Sequence, residues 1–156
     1  MDPGLRELYQ EIILDHGRNP RHFGVLEGAN REARGHNPLC GDQIHLYLSM
    51  DKAGRVVDLS FQGKGCAISV ASASMMTELV KGRTEAEARR LAEAFVQLAK
   101  GEEIDTNGLH EDDIDRLQAM GGVSQFPMRV KCATLAWHTL EEAMAGGGGE
   151  VTTDDE

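Results

Sequence analysis

The run NPLCGDQIHLYLSM, residues 37–50, combines a turn signal with the clearest strand pattern in the chain. Pro38 restrains the backbone on one side of Cys40 and Gly41 frees it on the other, which predicts a tight turn. Asp42 follows Cys40 by two residues. The sequence therefore predicts a loop that presents a thiol and a carboxylate towards a common point.

The strand pattern continues beyond this loop. Residues 43–50 alternate between polar and apolar side chains, the period of a strand with one buried face. A turn signal occupies residues 51–54, and the alternation resumes over 57–61, so the two runs predict a β-hairpin. A further edge strand is predicted near residues 31–34.

Helical signals occupy much of the remaining chain. Apolar residues recur at helical spacing over 5–13, the run from Cys66 to about 81 is apolar on nearly every side, and a capping box begins at Thr84. Two further helices are predicted, around residues 114–120 and from Cys132 onwards. We therefore predict an α+β fold, with a small antiparallel three-stranded sheet and about five helices packed on one side.

Length and charge limit the function classes. A chain of 156 residues suits one domain, which we place at residues 1–145. Residues 146–156 are predicted to form a flexible, Gly-rich acidic tail. The 16 basic and 26 acidic residues give a net charge of −10, which argues against a nucleic-acid or anionic-membrane partner.

The cellular compartment is predicted from what the sequence lacks. The N-terminus shows no signal-peptide pattern, and no run approaches the ~20 apolar residues of a membrane span. We therefore expect a cytoplasmic protein whose thiols stay reduced. An odd number of cysteines, three in all, then favours metal binding or thiol chemistry over disulfides.

The positions of the three cysteines favour thiolates. Cys66 and Cys132 lie where helices are predicted to begin, and unpaired N–H groups there stabilise negative charge. Arg129 and Lys131 add positive charge beside Cys132. An isolated cysteine is often only a small buried apolar residue, but Cys40 lies in a polar turn that is poorly suited to burial.

Three thiolates and one carboxylate form a four-donor set that suits tetrahedral zinc. They also suit an iron–sulfur cluster, which cysteine usually holds. The donors are far apart in sequence, so a local zinc-finger site is excluded and the fold must assemble the site. Spacing alone leaves both metals open.

Three segments resemble one known family: residues 37–42, residues 63–69 with the Ala-Ser run that follows, and the third cysteine before a helix. Together they are similar to the IscU/SufU family of iron–sulfur cluster assembly proteins, also found as the N-terminal part of NifU. The similarity runs from the first helix to about residue 145. IscU-type proteins carry a histidine immediately before the third cysteine. Lys131 occupies that place here, and the connection between the second and third cysteines is longer, so the chain resembles the SufU branch.

This resemblance implies a zinc site made by Cys40, Asp42, Cys66 and Cys132. It also implies that Cys40 accepts persulfide sulfur from a cysteine desulfurase and passes it to a downstream iron–sulfur assembly scaffold. We expect Arg129 to act beside Cys40 as a positive group that polarises the site. A surface salt bridge is the other interpretation of Arg129.

Two other functions remain open at this point. The chain could be a scaffold on which a transient [2Fe–2S] cluster is assembled and then donated. It could instead be a structural zinc domain that serves protein interaction. Lys131 in place of histidine argues against the scaffold, and the exposed position predicted for Cys40 argues against a closed structural site.

Overall fold

A single sheet lies beneath the cysteine-containing turn. The computed structural model describes residues 3–146 and 148–153, and within them the chain folds as an α+β structure. The strands are β1 (Arg31–Asn37), β2 (Asp42–Met50), β3 (Val56–Lys64) and β4 (Glu150–Thr152). Their order across the sheet is β3-β2-β1-β4.

The predicted hairpin is confirmed. β2 and β3 pair antiparallel, with Leu46 opposite Phe61, and both side chains are fully buried. β1 pairs antiparallel with β2, and its last residue, Asn37, lies opposite Asp42. The two ends of the Cys40 turn are therefore fixed by a strand pair.

The predicted three-stranded antiparallel sheet is wrong in one respect, because the sheet is mixed and has four strands. β4 pairs parallel with β1, so β1 is an interior strand and not the predicted edge. The sequence pattern missed β4 because Val151 is the one apolar residue in a Gly-rich acidic run. The strand is held by hydrogen bonds to β1, a segment distant in sequence: the Arg34 N–H, for example, donates to the Gly149 carbonyl over 3.1 Å.

The tail prediction has to be restated in part. Residues 150–152 form β4 within the predicted tail 146–156, whereas residues 147 and 154–156 lie outside the described part of the chain. That the tail is flexible, and that residues 1–145 form the domain, stay predictions.

Five α-helices occur within the described residues, as predicted. They are α1 (Pro3–Arg18), α2 (Ala67–Val80), α3 (Glu85–Ala99), α4 (Glu111–Met120) and α5 (Val130–Met144). The capping box at the start of α3 is confirmed, because Thr84 and Glu87 exchange both hydrogen bonds. Two 3₁₀ segments between α4 and α5, Gly121–Gln125 and Pro127–Arg129, were not predicted.

The core places α2 and α5 against the sheet. α5 packs on β1 and β2, while α2 packs on β3 and is flanked by α1. Trp137 of α5 stacks on Phe95 of α3 with ring centroids 5.3 Å apart, and both rings are buried. This packing brings the N-terminal ends of α2 and α5 to the same end of the sheet as the Cys40 turn. Within the described residues, no helix combines the length and apolar content that a membrane span requires.

Candidate metal centre

The turn between β1 and β2 holds Cys40 at the protein surface. The Gly41 N–H donates to the Asn37 carbonyl over 2.8 Å, which closes the turn. Gly41 has φ +72° with open space around its Cα, a conformation that glycine adopts without steric cost. Cys40 is half-buried, and its neighbour Leu39 is exposed. The turn predicted from Pro38 and Gly41 is thus present.

Asp42 is the most constrained member of the site. It is fully buried at the start of β2. Its Oδ1 accepts a hydrogen bond from the Cys66 N–H over 2.8 Å, and its Oδ2 accepts one from Asn37 Nδ2 over 3.1 Å. A buried carboxylate needs such partners, because burial without them disfavours the charged form. Asp42 is therefore held on both oxygens.

Gly65 permits the close approach of the next segment to Asp42. Its φ is +134°, and a Cβ there would overlap the Asp42 side chain and lie 2.8 Å from the Asp42 Cα. Only glycine fits this contact, which allows the Cys66 N–H to reach the carboxylate. The Gly-Lys-Gly run before Cys66 therefore has a steric reason in the structure.

Both remaining cysteines lie at helix N-termini, as predicted. Cys66 is the N-cap residue of α2 and is half-buried. Cys132 lies in the first turn of α5 and is fully buried. Helix N-termini stabilise negative charge through their unpaired N–H groups, so both positions suit a thiolate.

The structure brings three of the four predicted donors within reach of one another and places the fourth beside Asp42. One ligand atom each from Cys40, Asp42 and Cys132 lies within 4.8 Å of the other two, and the Sγ atoms of Cys40 and Cys132 are 3.5 Å apart. Cys66 is not part of that mutual set. Its Sγ lies 3.9 Å from Oδ2 of Asp42.

These separations fit a tetrahedral metal. With metal–sulfur bonds near 2.3 Å and metal–oxygen bonds near 2.0 Å, the edges of the donor tetrahedron are about 3.5–3.8 Å. The 3.5 Å between the sulfurs of Cys40 and Cys132 is slightly shorter than the sulfur–sulfur edge of about 3.8 Å, and the 3.9 Å between Cys66 Sγ and Asp42 Oδ2 is slightly longer than the sulfur–oxygen edge of about 3.5 Å. Three sulfurs and a carboxylate oxygen are also a chemically suitable set for zinc.

The protonation of the thiols shows what a cation would contribute. A hydrogen bond with Cys132 lowers the pKa of Cys66 to about 7, although burial opposes the shift. The same hydrogen bond, burial and a hydrogen bond with Asp42 raise the pKa of Cys132. The pair therefore loses its first proton readily and retains the second. A bound cation would favour the thiolate form of Cys132 as well as that of Cys66.

Arg129 and Lys131, two residues apart, make different contacts. The Nη1 of Arg129 lies 3.6 Å from the Sγ of Cys40 and donates to it. The surface salt bridge considered for Arg129 has no carboxylate partner among the described residues. Lys131 donates from Nζ to the Thr153 carbonyl over 3.0 Å.

Asn37 is a site residue to which the sequence pattern assigned no role. It is fully buried, and its Nδ2 donates to Asp42 Oδ2 and to Cys132 Sγ, the latter over 3.4 Å. An asparagine at the start of the motif, directly before Pro38, was the available signal. Its contact with Cys132 is 95 residues away along the chain, which no local pattern reveals.

Comparison with known proteins places this geometry in a family. The family model described as "NifU-like N terminal domain" matches residues 8–133. A Bacillus subtilis (strain 168) protein named "Zinc-dependent sulfurtransferase SufU" is 42% identical over 90% of this chain and 92% of its own length. "Iron-sulfur cluster assembly scaffold protein IscU" of Streptococcus pyogenes serotype M1 is 39% identical, over 90% and 84% respectively.

A solved structure agrees with this placement. It is the crystal structure of a putative iron–sulfur cluster assembly scaffold protein for the SUF system from Fervidobacterium islandicum AW-1. The two chains are 36% identical, the TM-score is 0.78, and the match covers 89% of this chain and 98% of the other. The four-stranded mixed sheet with five helices is thus the fold of a group of related proteins.

Proposed function

Because the chain belongs to the family of NifU-like N-terminal domains, which includes SufU and IscU, we propose that it is a zinc-dependent sulfur-transfer protein. It accepts persulfide sulfur from a cysteine desulfurase for iron–sulfur cluster assembly. The observation that carries the proposal is the asymmetry of the donor set. Asp42 and Cys132 are fully buried, whereas Cys40 lies on an exposed turn beside Arg129.

The proposed zinc ligands are Cys40, Asp42, Cys66 and Cys132. Their spacing and donor chemistry fit zinc, and the Bacillus subtilis relative is named as zinc-dependent. Bound zinc keeps its thiolate ligands deprotonated at neutral pH. Which of the three sulfurs reacts then depends on how freely each cysteine can move.

Cys40 is the proposed acceptor because it is the thiol best able to move. Its turn is flanked by Gly41, which has φ +72° and open space around it. Cys66 is fixed as the N-cap of α2, where its N–H is bonded to Asp42. Cys132 is enclosed in the first turn of α5. A hinged thiol beside two anchored ones is what transfer to and from the protein requires.

The proposed step is an exchange between a thiolate and a persulfide. The Cys40 thiolate attacks the outer sulfur of the desulfurase persulfide, and a new sulfur–sulfur bond forms on Cys40. The sulfur–sulfur bond of the desulfurase breaks, and its cysteine leaves as a thiolate. Arg129 is the proposed catalytic partner, because its guanidinium stays charged and its Nη1 lies 3.6 Å from the attacking sulfur. The persulfide on Cys40 is then passed to a downstream assembly scaffold.

The second candidate is a scaffold that assembles a [2Fe–2S] cluster, and the names of two similar proteins favour it. The position of Lys131 argues against it. In this chain the residue before the third cysteine is a lysine whose Nζ donates to the Thr153 carbonyl, so it does not offer the imidazole ligand that a histidine would.

Metal analysis of protein purified without oxygen separates the two candidates. Sulfur transfer predicts one tightly held zinc per chain and no visible absorption from a cluster. Stoichiometric iron with acid-labile sulfide would overturn the proposal in favour of the scaffold. Desulfurase turnover with and without the protein tests the structural zinc domain, which predicts no acceleration.

A further inference from the structure

The strand β4 runs beside β1 and ends next to Asn37, the residue that begins the metal-centre turn. β4 pairs parallel with β1, with Thr152 opposite His36, so the next residue comes beside Asn37. That residue, Thr153, is 1% exposed, and its hydroxyl donates to Asn37 Oδ1 over 2.9 Å. A segment 116 residues further along the chain thus contacts the turn that begins the site.

Only one orientation of the Asn37 amide satisfies all of its hydrogen-bond partners. Its Nδ2 faces two acceptors, the Asp42 carboxylate and the Cys132 sulfur, over 3.1 and 3.4 Å. Its Oδ1 must then find a donor, because an unsatisfied buried acceptor is costly. Thr153 supplies that donor. The reverse orientation would place the amide oxygen against two electron-rich ligands.

Lys131 fixes the backbone of the donor. Its Nζ donates to the Thr153 carbonyl over 3.0 Å, so the residue directly before Cys132 ties the end of β4 to the start of α5. A continuous path therefore runs from Lys131 through Thr153 and Asn37 to two of the predicted ligands.

We propose that Thr153, held by Lys131, is a positioning residue that orients the Asn37 amide so that Asp42 and Cys132 stay fixed while Cys40 moves. This inference rests on the proposed function, since it explains why one ligand and not another leaves. The amide of Asn37 donates to Asp42 and Cys132, whereas the hydrogen-bond partners of Cys40 are Arg129 and the Cys132 sulfur. Thr153, which lies within the tail predicted from sequence, thus contacts a residue of the site.

The test compares Thr153→Val with Thr153→Ser, loaded with cobalt(II) alone. Valine keeps the branched shape and removes the hydroxyl, whereas serine keeps the donor. The readouts are the visible absorption of thiolate-bound cobalt and the rate of its release to a chromogenic chelator. Partners that orient metal ligands typically change metal affinity by about 10–100-fold when they are removed. We expect release from the valine variant to be at least about tenfold faster, with an altered absorption band, and release from the serine variant to be within about twofold of the wild type.

Two outcomes overturn the inference: a valine variant that releases cobalt at the wild-type rate, or a serine variant as fast as the valine variant. A simple packing role predicts the first outcome, with the serine variant as the faster of the two, because valine keeps the branched shape and serine loses the methyl group. If the valine variant does not fold by circular dichroism, Lys131→Met decides the matter, with Lys131→Arg as its control. Faster release from the methionine variant alone supports the inference, and equal release from both contradicts it.

The same experiment distinguishes failure of the inference from failure of the proposed function. If the wild-type protein binds no cobalt through its thiolates, the metal centre itself is wrong. If it binds cobalt normally and the Thr153 and Lys131 variants behave like the wild type, only the positioning role fails.

Discussion

Replacing Gly65 with alanine tests the contact on which the buried carboxylate depends. At φ +134° an L-residue is strained, at a typical cost of about 1–3 kcal/mol. The new Cβ would also lie 2.8 Å from the Asp42 Cα and 2.9 Å from its Cγ, so a rotamer change of Asp42 alone cannot relieve the overlap. The backbone must shift, which breaks the hydrogen bond from the Cys66 N–H to Asp42 Oδ1.

The magnitude follows from these two effects. A hydrogen bond to a charged group contributes about 1.5–3 kcal/mol, and adding the strain gives a loss of roughly 2.5–6 kcal/mol. Gly82→Ala is the matched control, because Gly82 has φ +84° and no heavy atom near the added Cβ. It should show strain alone, about 1–2 kcal/mol.

Urea unfolding of the metal-free proteins measures the difference. With a slope of about 2 kcal/mol per molar urea, a difference of roughly 2 kcal/mol places the Gly65→Ala midpoint about 1 M below that of Gly82→Ala. Equal midpoints for the two variants would refute the assignment of Gly65 as the residue that makes room for Asp42.

Two further predictions concern charge. Arg129→Ala should slow sulfur transfer to Cys40 by about three- to fivefold, the size expected for an exposed charge pair. Zinc content should stay at the wild-type level, and Arg129→Lys should recover most of the rate. Loss of zinc from the alanine variant would show instead that Arg129 maintains the metal centre. The pKa of His16 is lowered, chiefly by burial and then by Arg21, so the unfolded chain takes up its proton at a higher pH than the folded chain does. The stability that neutral His16 contributes is therefore present above pH of about 6.5 and is lost as the pH falls through the folded-state pKa. His16→Gln should flatten the stability profile below about pH 6.5, and an unchanged profile would contradict the assignment.

The hairpin and the helices could be predicted because their signals are local. Alternation over residues 43–50 and 57–61 determines which face of each strand is buried, and the Thr84–Glu87 box determines a helix start. The three cysteine contexts were also local, since each lies beside a glycine or at a helix N-terminus. Those signals suggested one site of three thiols and a carboxylate, and the resemblance implied that they are the zinc ligands; that the four residues bind a metal stays a prediction.

The remaining parts depend on contacts between distant segments. β4 has almost no apolar pattern, and it forms through pairing with β1 more than 100 residues earlier. The hydrogen bonds of Asn37 with Cys132 and Thr153 exist only in the folded chain, because both partners are distant in sequence. Lys131 marked a departure from the IscU pattern in the sequence, but its contact with the Thr153 carbonyl required the fold.

The most direct test of the proposed function is to locate the transferred sulfur. The protein is incubated with a cysteine desulfurase and isotopically labelled cysteine, the thiols are blocked, and tryptic peptides are analysed by mass spectrometry. The three cysteines fall in separate peptides, residues 35–52, 65–81 and 132–156. Transfer to Cys40 predicts one added labelled sulfur atom on the peptide 35–52. Label on either of the other peptides, or on none, would contradict it.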